Sequence, residues 1–357
     1  MVKILHAADL HLDSPFASLG EEKARLRRQE SRELPERLVE YANDRGAQLL
    51  LLSGDLFDGQ ETYSQTAEML AHALGQFRGQ VVIAPGNHDP YNSRSPYSAA
   101  LWPANVHIFR ENRLEKVELP QYGCTVWGAA FTDVACGELP MEPDFAAGDT
   151  VQILVLHGDV DAPHSPYRPI RTSVLAESGL DYAALGHIHQ YSGVQYAGKT
   201  AYAYPGCPEG RGFDELDDKG FLFGEVDKGE VQLAFVPFAR RRYRKITVDV
   251  TDRDPMAAVE EILQGCTQDI CRVYLTGTGA ADEAAMERQL SPLAWQLEVR
   301  SQLREAEDLW LHCGEDSLRG LFLADLRAKY EQADEQRRET IEQAVRFGLA
   351  AMDNRDM

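Results

Sequence analysis

At 357 residues, with 44% apolar and 26% charged residues, the chain is long enough for a large core and for more than one domain. Its formal net charge of −21 argues against free-standing nucleic-acid binding, which usually needs a basic face to neutralise phosphates. No apolar run approaches the roughly 18–20 residues that span a bilayer, which argues against a membrane protein.

Met1-Val2-Lys3 leads straight into a core strand rather than a secretory signal, and Cys124, Cys136, Cys207, Cys266, Cys271 and Cys313 form no CxxC pair. Reduced thiols in a cytoplasmic protein are therefore expected. Val2–Ala8 reads as the first strand. Glu21–Arg45 carries Leu26, Leu34, Leu38, Tyr41 and Ala42 at helical spacing, so it reads as a surface helix with a break near Pro35. Arg25, Arg27, Arg28 and Arg32 are then its solvated face. Leu49–Leu52, four leucines between turn-forming and charged residues, reads as a strand buried on both faces. A helix over Thr62–Leu74 and a strand at Val81–Pro85 complete a β-α-β-α-β run, the pattern of a layered α/β fold.

From Asn105 the elements shorten. Strands are predicted at Val106–Phe109, Thr125–Ala129, Val151–Leu156 and, after a helix over Thr172–Ser178, at Tyr182–Gly186. Gly193–Tyr196, Thr200–Tyr204, Gly220–Val226 and Val231–Val236 follow, separated by turns. This half reads as a mainly antiparallel sheet packed on the first. Arg240-Arg241-Arg242-Tyr243-Arg244-Lys245 is a basic break. Beyond it, Ile246–Val250, a helix from Pro255, Cys271–Thr276, a helix over Asp282–Leu290 and a strand at Trp295–Val299 suggest a small α+β domain. From Ser317 the chain turns helical, with Leu318, Leu321, Phe322, Leu326 and Tyr330 on one face. Ile341, Val345 and Leu349 follow a polar break at Gln332–Arg338. The expected domains are residues 1–240, 245–312 and 316–357.

Five strand-like runs end in the same chemistry. Asp9 and His11 follow the first, Asp55 the second, Asn87 and His88 the third, His157 a fourth, and His187 with His189 a fifth. Taken singly, each is an ordinary turn or a satisfied histidine, and His6, His72, His107, His164 and His312 are read that way. All five in order describe a metal site at one sheet edge, where α/β folds bind ligands. An Asp-x-His pair offers one hard oxygen and one imidazole, and Asp55 can bridge two cations with its two oxygens. Asn87 adds a neutral carbonyl oxygen. Oxygen and imidazole donors without thiolate favour manganese, iron or zinc over calcium or magnesium. Two such ions about 3.5–4 Å apart stabilise the attacking and leaving oxygens of a displacement at phosphorus.

Asp9-x-His11, Gly54-Asp55, Gly86-Asn87-His88-Asp89, His157-Gly158 and Gly186-His187-Ile188-His189 resemble the full motif set of the calcineurin-like metallophosphoesterases, over residues 1 to about 240. The resemblance implies a four-layer α/β sandwich. It places Asp9, His11, Asp55 and His189 on one metal, and Asp55, Asn87, His157 and His187 on the other. It makes His88 the proton donor to the leaving oxygen, oriented by Asp89. Ile4–Ser14, Leu51–Phe57, Ala184–Gln190, Tyr204–Gly206, Gly210-Arg211-Gly212-Phe213 and Glu215 resemble the SbcD-type DNA repair exonucleases, especially the bacterial YhaO branch. That resemblance implies that the small α+β domain caps DNA. It also implies that the C-terminal helices dock on the coiled coil of an SbcC-like ATPase.

One position departs. SbcD-type nucleases commonly carry His three residues after the bridging Asp, where it steers the substrate phosphate; here Asp58 stands there, followed by Gly59-Gln60 rather than the Arg of phosphoprotein phosphatases. Asp58 and Arg211 are the expected substrate-binding residues, Arg211 as a bidentate phosphate grip or else a plain surface arginine. The expected activity is that of a manganese-dependent phosphodiesterase, a DNA exonuclease or endonuclease subunit acting in repair with a basic ATPase partner. The alternatives are a phosphatase or phosphodiesterase for small nucleotides, or a weakly catalytic metal-binding subunit that regulates an ATPase. Digestion polarity, strand preference and homodimer formation stay open.

Overall fold

The computed structural model describes residues 1–59, 64–304 and 309–353. Gln60 and the predicted helix start at Thr62 lie outside the described residues, as do 305–308 and 354–357 of the predicted C-terminal segments. Strands β1 (Val2–Ala7), β2 (Leu49–Leu52), β3 (Gln80–Ile83) and β4 (Val106–Ile108) run parallel, linked by α1 (Glu21–Asp44), α2 (Ser64–Gly75) and the short α3 (Pro96–Ala99). The chain then passes through β5 (Glu115–Leu119), β6 (Cys124–Gly128), β7 (Val151–His157) and a two-residue pair, β8 (Asp159–Val160) with β9 (Pro169–Ile170). Next come α4 (Thr172–Ala176), β10 (Tyr182–Gly186), β11 (Gln195–Ala197) and β12 (Thr200–Ala203), before β13 (Gly220–Asp227) and β14 (Glu230–Pro237). The two large sheets have the orders β14-β13-β1-β2-β3-β4 and β11-β12-β10-β7-β6-β5.

The second sheet is not mainly antiparallel, as the sequence suggested. β12, β10, β7 and β6 run parallel, and only the edge strands β11 and β5 are antiparallel. The antiparallel hairpin β13–β14 instead joins the first sheet by pairing with β1. Short strands spaced by turns do not reveal their partners. The connections between β6, β7 and β10 are long enough for the crossovers that parallel pairing needs.

Alternation along the strands sets the layers. Ile4, Leu49, Leu51 and Val82 pack toward the second sheet on Val126, Ile153, Val155, Tyr182 and Ala184. Their neighbours Leu5, Leu50, Leu52 and Ile83 pack with Leu34, Leu38, Leu70 and Leu74 of α1 and α2. On the far side, Leu154, Leu156, Ala183 and Leu185 pack with Leu175 of α4. Helix, sheet, sheet and helix layers give the expected four-layer α/β sandwich.

Helix α1 departs from its predicted form twice. Pro35 lies inside it without ending it. An interior proline costs about 3 kcal/mol, which the buried stripe Ala24, Leu34, Leu38, Val39 and Ala42 offsets. Leu26, expected inside, is 39% exposed, whereas Arg27, expected in solvent, is fully buried. The Arg27 guanidinium donates to Glu30 (2.7 Å), Glu209 (3.0 Å) and the Gly210 carbonyl (3.0 Å). Helical spacing identifies a face, but only the tertiary arrival of Glu209 makes an arginine tolerable on it.

The chain divides into two compact units. The first comprises Met1–Ile246, Leu263–Val273 and Gln289–Glu298 and holds both large sheets; the second comprises Thr247–Ile262, Tyr274–Arg288 and Val299–Met357. Strands β15 (Tyr243–Asp249), β16 (Ile270–Thr276) and β17 (Gln296–Ser301) form a three-stranded sheet in that order, with α5 (Pro255–Ile262) and α6 (Glu283–Leu290) between them in sequence. In the second unit, α7 (Leu318–Glu331) and α8 (Glu335–Met352) pack around Leu309, Leu323, Ile341 and Val345. Their N-termini are capped by Ser317, accepting from the Gly320 N–H, and Asp334, accepting from the Arg337 N–H. Phe322, Leu326 and Tyr330 join this core, while Leu318 and Leu321 are exposed, so the single apolar face expected of α7 is split. All six cysteines are free thiols, and among the described residues no helix is long and apolar enough to cross a membrane.

Candidate metal centre

The carboxyl ends of β1, β2 and β3 lie side by side because these strands are parallel, and β7 and β10 end opposite them. Pairing continues past the strands: the backbone N–H of Asp9 donates to Gly54 O (3.0 Å), and that of His11 to Asp55 O (3.0 Å). Asp9, His11, Asp55 and His187 all adopt positive φ (55°, 44°, 50° and 114°). Such strain costs on the order of 1–3 kcal/mol per residue. The four fully buried leucines of β2, roughly 1.5–3 kcal/mol each, offset it. Gly54 (φ 88°) is required by space as well as conformation, since a Cβ there would lie 2.5 Å from His157 Nδ1.

The predicted residues converge into two donor sets. Asp9, His11 and His189 offer atoms within 4.8 Å of one another, as do Asp55, His157 and His187. Asp55 Oδ2 lies between the sets, 3.3 Å from His157 Nε2 and 3.8 Å from His11 Nε2. Asn87 Oδ1 stands 2.9 Å from His157 Nε2 and 3.1 Å from His187 Nδ1. The Nε2 atoms of His11 and His189 face each other at 3.2 Å, where two imidazoles compete for one proton and a cation would satisfy both. Converging oxygen and imidazole donors, buried except for the partly exposed His187 and His189, fit divalent metal ions.

Each imidazole also has a polar neighbour behind it. His157 Nδ1 is 2.8 Å from the Ser53 carbonyl, His189 Nδ1 is 2.7 Å from Glu215, and His187 Nε2 is 3.4 Å from Asp159. His11 Nδ1 is 3.1 Å from Asp58, close enough for an ion pair but without hydrogen-bond alignment. Such outer partners fix tautomer and ring orientation. Ser53 and Asp159 carry no motif that marks them in the sequence, and Glu215 stands there only as part of the Gly210–Glu215 resemblance. Asp159 could have been suspected, because it lies two residues past His157.

Asp89 does not orient the His88 ring. Its buried carboxylate accepts from the backbone N–H groups of Gly86 (2.7 Å), Asp55 (3.2 Å), Leu56 (2.7 Å) and Phe57 (3.2 Å) and from the Tyr97 hydroxyl (2.6 Å). It therefore shapes the loop that presents Asp55 and has no capacity left for a ring. His88 is exposed at the mouth, its Nδ1 3.1 Å from the Asp58 carbonyl and its backbone N–H donating to Asp55 Oδ1 at 2.9 Å. Arg211 is half-buried, with Asp58 (2.9 Å) and Glu215 (2.7 Å) as ion-pair partners. His11, Asp58 and His88 also lie close together, with Asp58 Oδ1 paired to Arg211.

Electrostatics follow from burial and crowding. Burial raises the Asp9 carboxyl to about 6 and lowers His11 to about 4. Burial would also lower His157, but the Asp55 and Asp9 carboxylates outweigh it and raise the ring to about 9. Asp55 is held below the usual carboxylate range, because the His157 imidazole overcomes its burial.

The profile of calcineurin-like phosphoesterases matches residues 2–191, the stretch that carries every donor residue named above. An uncharacterised metallophosphoesterase of Bacillus subtilis, YhaO, is 30% identical over 322 residues, covering 85% of this chain and 78% of its own. The DNA double-strand break repair protein Mre11 of Methanopyrus kandleri is 24% identical over 338 residues, covering 86% and 72%. The solved structure of TT1561 from Thermus thermophilus covers 66% of this chain and 98% of its own, at 13% identity and a TM-score of 0.39. A match over more than half the chain, centred on two buried oxygen and imidazole donor sets, places the chain in the calcineurin-like phosphoesterase family, as a metal-dependent phosphoesterase.

Proposed function

We propose that the chain is a two-metal phosphodiesterase that cleaves DNA ends in repair, working with a coiled-coil ATPase. The observation that carries the reading is Asp55 lying between two donor sets with His88 exposed beside them. Asp9, His11, His189 and Asp55 would hold one ion, and Asn87, His157, His187 and Asp55 the other. When bound, the two ions supply Lewis acidity for displacement at phosphorus. Manganese suits these donors, with iron or zinc as alternatives. His88, its Nδ1–H held by the Asp58 carbonyl, would deliver the Nε2 proton of its imidazolium form to the departing oxygen and be left as the neutral ring.

A DNA substrate is supported by the similarity to Mre11, a DNA double-strand break repair protein, and by a cleft of about 440 Å³ that Lys245, Arg272 and Phe213 line together with Asp214 and Glu215. The net charge of −21 leaves much of the DNA affinity to a basic partner. Residues 245–312 are proposed as the DNA-capping part and 316–357 as the ATPase-docking part. The deciding assay compares linear duplex DNA, single-stranded DNA and a nitrophenyl phosphodiester, with and without manganese and the partner ATPase. Cleavage of the small diester alone, under every condition, would favour a small-nucleotide substrate instead.

Metal uptake should release protons. His157, raised to about 9, is protonated at neutral pH while no cation is bound, and a cation must expel that proton. Manganese affinity is therefore expected to rise about tenfold per pH unit from pH 7 toward 9, with about one proton released per chain. Calorimetry in buffers of different ionisation enthalpy measures both; a pH-independent affinity would contradict the His157 assignment.

Leu318→Asp combined with Leu321→Asp tests the docking proposal. Both side chains are exposed, 76% and 66%, so folding stability should change by no more than about 0.5 kcal/mol per site. Manganese-dependent cleavage of a small diester should persist, while co-purification with the ATPase is lost. Retained co-purification would move the docking surface elsewhere.

A further inference from the structure

Two imidazoles of one donor set, His11 and His189, reach the centre from strand ends far apart in sequence, yet their outer nitrogens meet one connected group of charges. Asp58 Oδ1 lies 3.1 Å from His11 Nδ1, and Glu215 Oε1 lies 2.7 Å from His189 Nδ1. Between these two carboxylates sits Arg211. Its Nη1 donates to Asp58 Oδ1 at 2.9 Å, its Nη2 to Glu215 Oε1 at 2.7 Å and its Nε to the same oxygen at 3.1 Å, while its backbone N–H donates to Glu215 Oε2 at 2.7 Å. Nη2 is also 3.1 Å from His189 Nδ1. A guanidinium has five N–H donors in a fixed fork. Two bond Glu215 and one bonds Asp58, so the edge formed by Nε and Nη2 is occupied and Nη1 is already engaged. An arginine recruited to grip a phosphate would instead keep two parallel N–H groups open for bidentate contact.

We propose that Arg211 is a positioning residue. It locks Asp58 and Glu215 onto the outer nitrogens of His11 and His189, so that both rings turn a bare Nε2 toward the same cation. With its Nδ1–H donating to Glu215, His189 carries its proton on the outer face. Asp58, 3.1 Å from His11 Nδ1 without hydrogen-bond alignment, favours the same orientation of that ring through its charge. Without the guanidinium, two carboxylates beside the already acidic Asp9 and Asp55 would repel each other and release the rings. This assignment rests on the two-cation reading and replaces the substrate-phosphate role for Arg211 and Asp58.

The test is manganese titration calorimetry on the full chain, with the visible spectrum of the cobalt-loaded protein as a second readout. Arg211→Gln should weaken one of two manganese sites by about 10–100-fold, the usual loss when an outer partner of a metal ligand is removed. The other site should stay within about twofold, only part of the cobalt spectrum should change, and KM for a small phosphodiester should hold once metal is saturating. Arg211→Lys, which keeps the charge but not the fork, should give an intermediate loss. Glu215→Gln should weaken the same site, and it carries the test if Arg211→Gln does not fold. Two intact sites with a raised KM would make Arg211 a substrate contact and overturn the proposal, as would two intact sites with an unchanged KM. A wild-type chain that binds fewer than two ions would instead sink the two-cation reading itself.

Discussion

Asp55→Ala is expected to abolish tight binding of both cations at once and to reduce activity to background. Asp55 is the one side chain placed between the two donor sets, with Oδ2 3.3 Å from His157 Nε2 and 3.8 Å from His11 Nε2. Its loss removes a ligand from each set and also the charge that keeps His157 protonated. The fold should survive, because β2 stays buried and Asp89 still holds the loop through its bonds to Gly86, Leu56 and Phe57. Ala is a poor residue at φ 50°, a conformation that Asn tolerates better, so Asp55→Asn separates lost charge from backbone strain. Asn keeps one neutral oxygen and should retain at most weak binding at one site. Elemental analysis of the purified variants, with circular dichroism to confirm folding, checks the expectation. Full occupancy in Asp55→Ala would refute the bridging role.

Much of this centre was legible because hydrophobic runs and polar ends are local signals. Leu49–Leu52 announces a strand buried on both faces, and a strand of that kind in an α/β fold delivers whatever follows it to the ligand edge. The same logic located Asp9, Asn87, His157 and His187. What stayed hidden was set by contacts across long sequence separations. Arg27 is buried only because Glu209, 182 residues away, meets it. The parallel order of the second sheet depends on which strand ends pair, which alternation does not encode. Glu215 and Asp58 become partners of His189 and His11 only once the sheets are stacked. The role of Asp89 stayed hidden for a different reason. Its neighbour His88 suggested a side-chain pair, yet the carboxylate is consumed by the backbone of the Asp55 loop.

His88→Gln is expected to leave both cation sites filled while turnover falls about 10²–10⁴-fold, the usual range for one general acid. The side chain is exposed, and its ring lies edge-on to His11 with centroids 4.8 Å apart. The Asp58 carbonyl, 3.1 Å from Nδ1, accepts the proton on that nitrogen, so the ring acts as an acid through the Nε2 proton of its imidazolium form. Gln preserves the backbone N–H that donates to Asp55 Oδ1, so the bridging carboxylate should not move. A proton donor matters in proportion to the basicity of the departing oxygen. The deficit should therefore be largest on DNA, whose sugar oxygen leaves as a strong base unless protonated, and should shrink on a nitrophenyl diester, which leaves readily as an anion. The comparison needs both substrates at saturating manganese, with metal content measured on the same samples. If the loss is equal on both substrates with metal retained, His88 stabilises charge without transferring a proton. If metal departs with activity, His88 is a ligand, and the close group of His11, Asp58 and His88 is where it binds.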